Sequence, residues 1–166
     1  MPRSPRLLAL VVLVALAIVT FVAAQGAPIG DVDTSEGEAV FTANCAACHQ
    51  ATGVGMPSVF PPLVGHVPEL LAAEGGREYF VDVVSFGLMG PIDVEGIAYN
   101  GMMPSWAHFT NEQLTAVLNY VATAWGNVDA LPEGFAAYTV EEVAAIRATP
   151  MDMTGVAQKR AELGFE

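Results

Sequence analysis

Positive charge is scarce in this chain. Six Lys and Arg stand against 18 Asp and Glu, Lys159 is the single lysine, and the formal net charge is −12. So acidic a chain is repelled by nucleic-acid phosphates and by anionic lipid headgroups, which excludes both as partners. Cysteine is nearly absent too, with only Cys45 and Cys48. A structural zinc site takes four ligands, usually as two pairs. Here there is no second cysteine pair, and the histidines away from the cysteines, His66 and His108, stand alone. A disulfide across two residues closes a tiny loop with little entropic gain, and a thioredoxin-like pair needs βαβ flanks that this sequence does not show. There is no internal repeat and no low-complexity segment.

Arg3 and Arg6 precede a charge-free, largely apolar run from Leu7 to Ala24, and Val22-Ala23-Ala24 offers small residues for cleavage, making Gln25 the mature start. At 1.5 Å per residue a helix over the run would be roughly 27 Å long, close to a bilayer's apolar thickness. A cleaved signal peptide and an uncleaved anchor therefore both remain open. Either sends the rest of the chain to the periplasm or another extracytoplasmic compartment, because the arginines hold the start inside. What remains, about 140 residues, is enough for one domain with one core. The expected division is 1–24 signal or anchor, 25–34 tether, 35–126 main domain, and 127–166 a C-terminal extension packed on that domain.

What is present is Cys45-Ala46-Ala47-Cys48-His49. Two thiols at this spacing lie on one face of a helical turn and can add to the two vinyl groups of a haem, with the adjacent histidine in reach of the iron. C-x-x-C-H is the attachment signature of c-type haem. One haem c, bound covalently through Cys45 and Cys48 with His49 as an axial iron ligand, is the expected cofactor.

The rest reads as mainly α. Ser35-x-x-Glu38 has the form of a capping box, and Gly37, Phe41 and Cys45 recur on one face of a helix expected over Glu36–Cys48. Residues 51–67 are rich in Gly and Pro, a loop long enough to wrap a ligand. Pro68 opens a short helix to Ala73, and a second spans Arg77–Phe86. Ile92–Val94 and Ile97–Tyr99 read as a small hairpin about Glu95-Gly96. Thr110-x-x-Gln113 caps a helix with Leu114, Val117, Leu118, Val121 and Trp125 on one stripe, ended by Gly126. Thr139-x-x-Glu142 starts another helix, and a last weak one covers about Val156–Leu163, both lying across the domain as a clasp.

The second axial ligand is sought in Tyr99-Asn-Gly-Met102-Met103-Pro104. A thioether is a soft, neutral ligand, and His/Met coordination raises the reduction potential. Pro104 keeps Met103 out of helix and stiffens its backbone. Met103 is the leading candidate, with Met102 or an open sixth position as alternatives, while Met56 and Met89 read as packing residues and His66 and His108 as surface or loop residues. Tyr99 and Trp106 are candidates to hydrogen-bond a haem propionate, or else core aromatics. Arg77 is a candidate for a propionate, or for Glu74 or Glu78.

The order Gly37, Phe41, Cys45-Ala-Ala-Cys48-His49, Pro61-Pro62-Leu63, Met103-Pro104 and an aromatic-bearing helix resembles class I cytochrome c over about Ser35–Gly126. The resemblance implies that fold, with Gly37 and Phe41 crossing the later helix near Tyr120, and a Pro61 carbonyl accepting the His49 Nδ1 proton. Within the family, Phe60-Pro-Pro-Leu-Val-Gly-His66, Gly75-Gly-Arg-Glu-Tyr79, Thr123-Ala-Trp-Gly126 and the C-terminal clasp resemble the soluble thermophile cytochromes that donate electrons to a terminal haem-copper oxidase. Those are rich in lysine and this chain is not, so lysine-driven docking does not carry over.

The expectation is a monomeric one-electron carrier and not an enzyme. A terminal oxidase is the expected acceptor and a quinol-oxidising complex the donor, with contact through an apolar patch where Val54 and Met56 line the haem edge. The alternatives are a membrane-anchored haem subunit of a respiratory complex, or a peroxidase or gas sensor with an open sixth site.

Overall fold

The computed structural model describes residues 27–165. The expected leader at 1–24 lies outside them. Among the described residues, no helix is long and apolar enough to cross a membrane.

The first helical stretch is two pieces, α1 (Ser35–Asn44) and α2 (Ala46–His49). Cys45 sits between them at φ −110°, ψ −32°, and the Cys48 and His49 amides bond back to its carbonyl at 3.1 and 3.0 Å. The single helix expected over 36–48 is thus interrupted at the first cysteine. The Ser35–Glu38 capping box does not form. Thr34 is the cap residue, without a side-chain bond, and the Ser35 amide donates to Asp33 Oδ1 at 2.9 Å.

Helices α3 (His66–Ala72) and α4 (Gly76–Phe86) follow. The hairpin is larger than the sequence suggested. β1 (Leu88–Val94) pairs antiparallel with β2 (Ile97–Met103), from Leu88 opposite Met103 to Val94 opposite Ile97. Gly90, Pro91 and Gly101 read as breakers in isolation. A two-stranded ribbon has open edges on both sides, where a proline's missing N–H costs nothing.

Helix α5 (Asn111–Thr123) carries the expected capping box, with Thr110 and Gln113 each bonding the other's backbone. It stops before the apolar stripe does. Ala124 is extended and Trp125 turns left-handed (φ 56°, ψ 23°). The Trp125 ring then packs on Phe41 with centroids 5.1 Å apart, and its indole N–H donates to the Ala51 carbonyl at 3.0 Å.

α1 crosses α5 at Gly37, where a Cβ would lie 2.1 Å from the Ala116 carbonyl oxygen and 2.6 Å from Tyr120 Cβ. Phe41, Leu114, Val117, Leu118 and Val121 form the core beneath that crossing, and Val67, Tyr79 and Val81 extend it.

After α5 the chain returns over this core as α6 (Val140–Arg147), capped by the Thr139 side chain, and α7 (Met153–Glu162), capped by Asp152. Val143 and Val156 plug it into the core. Asn119 bonds both backbone groups of Tyr138, at 2.8 and 3.1 Å. Arg77 donates to both carboxylate oxygens of Glu142, at 2.5 and 2.8 Å, and to the carbonyls of Ala136 and Ala137. Its guanidinium lies 4.1 Å from the Tyr138 ring centroid. Arg77 therefore fastens the extension, and its partner is Glu142 rather than Glu74, Glu78 or a propionate. Arg77→Met should lower unfolding free energy by about 2 kcal/mol, since it removes a bidentate ion pair and orphans half-buried acceptors. Denaturant titration checks this, and a loss within error of zero would mean the pair is solvent-screened.

Candidate functional site

One cleft opens between the α2 turn, the 50–65 loop, the hairpin and α7, enclosing about 1310 Å³ with its open mouth included. Its walls are chiefly apolar, among them Leu63, Phe80, Val83, Leu88, Leu118 and Val121.

Cys45, Cys48 and His49 line one side, and neither cysteine is in a disulfide. Burial, with the neighbouring Cys48 adding to it, pushes the Cys45 thiol up to about 11. His49 Nδ1 lies 3.0 Å from the Pro61 carbonyl. A carbonyl only accepts, so Nδ1 carries the proton and Nε2 keeps a free lone pair. Burial lowers the His49 pKa, and the Pro61 bond opposes it only in part, so the ring is held neutral and suited to ligate a metal.

The loop that brings Pro61 there folds back on itself. The Gly55 amide bonds the His49 carbonyl at 3.0 Å and the Leu63 amide bonds the Gly53 carbonyl at 2.7 Å. Gly55 sits at φ +63°, and a Cβ on it would lie 2.3 Å from the Phe60 carbonyl oxygen. Only glycine satisfies both the angle and the space.

The hairpin supplies the facing side. Met103 ends β2, borders the cleft and packs against the core cluster. Its neighbour Met102 touches the rim but is 63% exposed, as strand alternation requires. Tyr99 and Trp106 also line the cleft. Met56 and Met89, expected as packing residues, are instead exposed.

His66 is another correction. It is buried in α3, with Nδ1 3.2 Å from Glu69 Oε2 and Nε2 accepting from Arg160 at 3.4 Å. Desolvation and the adjacent Arg160 charge lower its pKa. Arg160 itself lines the cleft from α7, is 3% exposed, and leaves its Nε without a partner, beside the buried Tyr79 phenol. The sequence reading missed Arg160 and Tyr79. An arginine on a weakly periodic terminal helix gives no sign that it turns inward.

An apolar slot with two free thiols, a neutral imidazole and a thioether at its walls, and an orphaned buried guanidinium, fits a large flat apolar group that carries acidic substituents. A family model described as Cytochrome c matches residues 34–125. The chain belongs to the cytochrome c family. It is 48% identical over 124 residues to cytochrome c-552 of Thermus thermophilus, an alignment covering 75% of this chain and 94% of that one. The counterpart from another strain of Thermus thermophilus is likewise 48% identical, with 83% of it covered. The cytochrome c subunit of the quinone alcohol dehydrogenase of Gluconobacter oxydans is 30% identical over 91 residues, 55% of this chain but 18% of that one. As a family member the cytochrome carries one haem c, bound covalently through Cys45 and Cys48, and transfers electrons.

Proposed function

We propose that the chain is an extracytoplasmic one-electron carrier whose haem iron is held between His49 and Met103, taking electrons from a quinol-oxidising complex and passing them to a respiratory terminal oxidase. The observation that carries this reading is the neutral His49 ring, with Nδ1 tied to Pro61 and Nε2 free, across an apolar cleft from the inward Met103. Bound haem would supply the iron that alternates between ferric and ferrous.

The chain's residues do the rest. Cys45 and Cys48 anchor the ring, and Pro61 fixes the imidazole plane. Met103 presents a neutral sulfur from the end of a paired strand, so the site changes little between redox states. The apolar walls exclude water and favour the less charged state.

This reading expects the ferric protein to show the weak long-wavelength charge-transfer band of iron bonded to methionine sulfur, and the ferrous protein to bind carbon monoxide poorly. A protein lacking the band that takes up carbon monoxide or peroxide readily has an open site, and the peroxidase or sensor reading replaces this one.

For docking, the rim of the cleft is the apt surface. Val54, Met56, Val59, Met89 and Met102 are exposed there. Met89 pairs with Met102 across the hairpin, and Val59 lies against Gly101 of β2. All lie in stretches without one Asp, Glu, Lys or Arg, namely 39–68, 83–92 and 96–111. A neutral patch on so acidic a protein suits a partner with an apolar contact encircled by basic residues. Met89→Asp should slow electron transfer to such a partner about tenfold while leaving the visible spectrum alone. Stopped-flow mixing reads the rate, and an unaltered rate moves the contact elsewhere.

The apolar run at 7–24 favours a second arrangement, the same carrier tethered to the outer face of the membrane. Terminal sequencing of the mature protein decides between them, since a start at Gln25 leaves no tether.

A further inference from the structure

The terminal helix α7 presents two adjacent cations inward, and the two are treated differently. Lys159 donates at 2.5 Å to Asp82, a carboxylate on α4 that is 1% exposed. Arg160 reaches no carboxylate among the described residues. Its Nη2 donates to the Asp93 carbonyl at 2.9 Å, its Nη1 faces the neutral Nε2 of His66, and its Nε has no partner. Asp93's own carboxylate is turned to the Gly96 amide, and Glu69 is taken by His66. Phe165 covers the outside of this group, 5.4 Å from the guanidinium and 5.9 Å from the His66 ring.

A buried guanidinium without a counter-charge is strongly unfavourable. Docking α7 forces that situation on the chain, because the helix is otherwise held by Val156 and Lys159. The free side of Arg160 looks into the cleft, and haem brings two carboxylates into it.

We propose that the cofactor locks the C-terminal helix. A haem propionate accepts from the Arg160 guanidinium and supplies the counter-charge that the polypeptide lacks, so α7 and residues 163–165 form a cleft wall fastened by the haem. This rests on the reading above that haem occupies this cleft, and it adds that the extension reports on the haem's acidic edge. Arg160 acts here as a positioning residue.

The test uses the haem-loaded protein, with Arg160→Met, Arg160→Lys and Lys159→Met compared with wild type. Amide hydrogen exchange is followed by mass spectrometry and the reduction potential by titration. Arg160→Met should speed exchange across 153–165 by about tenfold or more. It should also lower the potential, because an uncompensated propionate favours the ferric state. Arg160→Lys should restore part of both. Lys159→Met should speed exchange with the potential unmoved, since its partner Asp82 lies on the far side of α4's packing. Exchange that is unchanged or slower in Arg160→Met overturns the proposal, as does faster exchange at the wild-type potential, which would mean packing alone. The wild-type visible spectrum checks the haem placement separately. A missing methionine band there fails the ligation reading and not the lock.

Discussion

Replacing Met103 by alanine is expected to abolish the long-wavelength ferric band, open the ferrous iron to carbon monoxide, and lower the reduction potential by on the order of 0.2 V, a fraction of the roughly 0.8 V that axial ligands command. The sulfur favours the ferrous state because it is soft and uncharged, and water or hydroxide in its place favours the ferric one. The effect should be specific to this methionine. Met103 packs inward at the base of the hairpin, whereas Met102, one residue earlier and on the other face, is 63% exposed. Met102→Ala should leave spectrum and potential as in wild type. Redox titration of the two variants side by side makes the comparison, and the assignment fails if Met102→Ala carries the loss.

The second large effect is expected at Gly37. Gly37→Val should cost at least about 3 kcal/mol and cut the yield of haem-loaded protein, because the obstacle is backbone rather than a yielding side chain. A Cβ there would sit 2.1 Å from the Ala116 carbonyl oxygen and 2.7 Å from its carbon. Neither atom can rotate away, so α1 and α5 must part. Parting them opens the Phe41–Tyr120 contact, now 5.5 Å between centroids, and shifts Cys45 at the end of α1. Stability and haem attachment thus fall together. Gly30→Ala is the control, since nothing lies within 4 Å of a Cβ there. Equal stabilities for the two variants, by denaturant melts, would show that the crossing can relax.

Features encoded by neighbouring residues were legible before the fold was. The cysteine–histidine run, the Thr110–Gln113 cap, the Thr139 cap and the Gly37–Phe41 stripe each follow from spacing along one helix, and the structure places them accordingly. Ser35–Glu38 has the same spacing and forms no box, because Asp33 takes the Ser35 amide first. Contacts between distant segments left no such trace. Arg77 finds Glu142 across 65 residues, and Arg160 meets His66 across 94. Local reading gave Arg77 to its sequence neighbours and left His66 in a loop. The hairpin was underestimated because Gly90, Pro91 and Gly101 are breakers by propensity, and only the partner strand overrides them.

That hairpin has a practical consequence. Its strands match residue for residue without a bulge, and its turn is two residues, Glu95 and Gly96, both at positive φ (56° and 78°). Met103 is paired at the opposite, open end. Insertions at the tip therefore leave the sulfur's strand face unaltered, provided the arms grow by equal lengths. A single-residue slip in one arm would turn Met103 outward and Met102 inward. Length variation in this loop should be quantised in matched pairs, and the tip is a place to graft a peptide tag without retuning the iron.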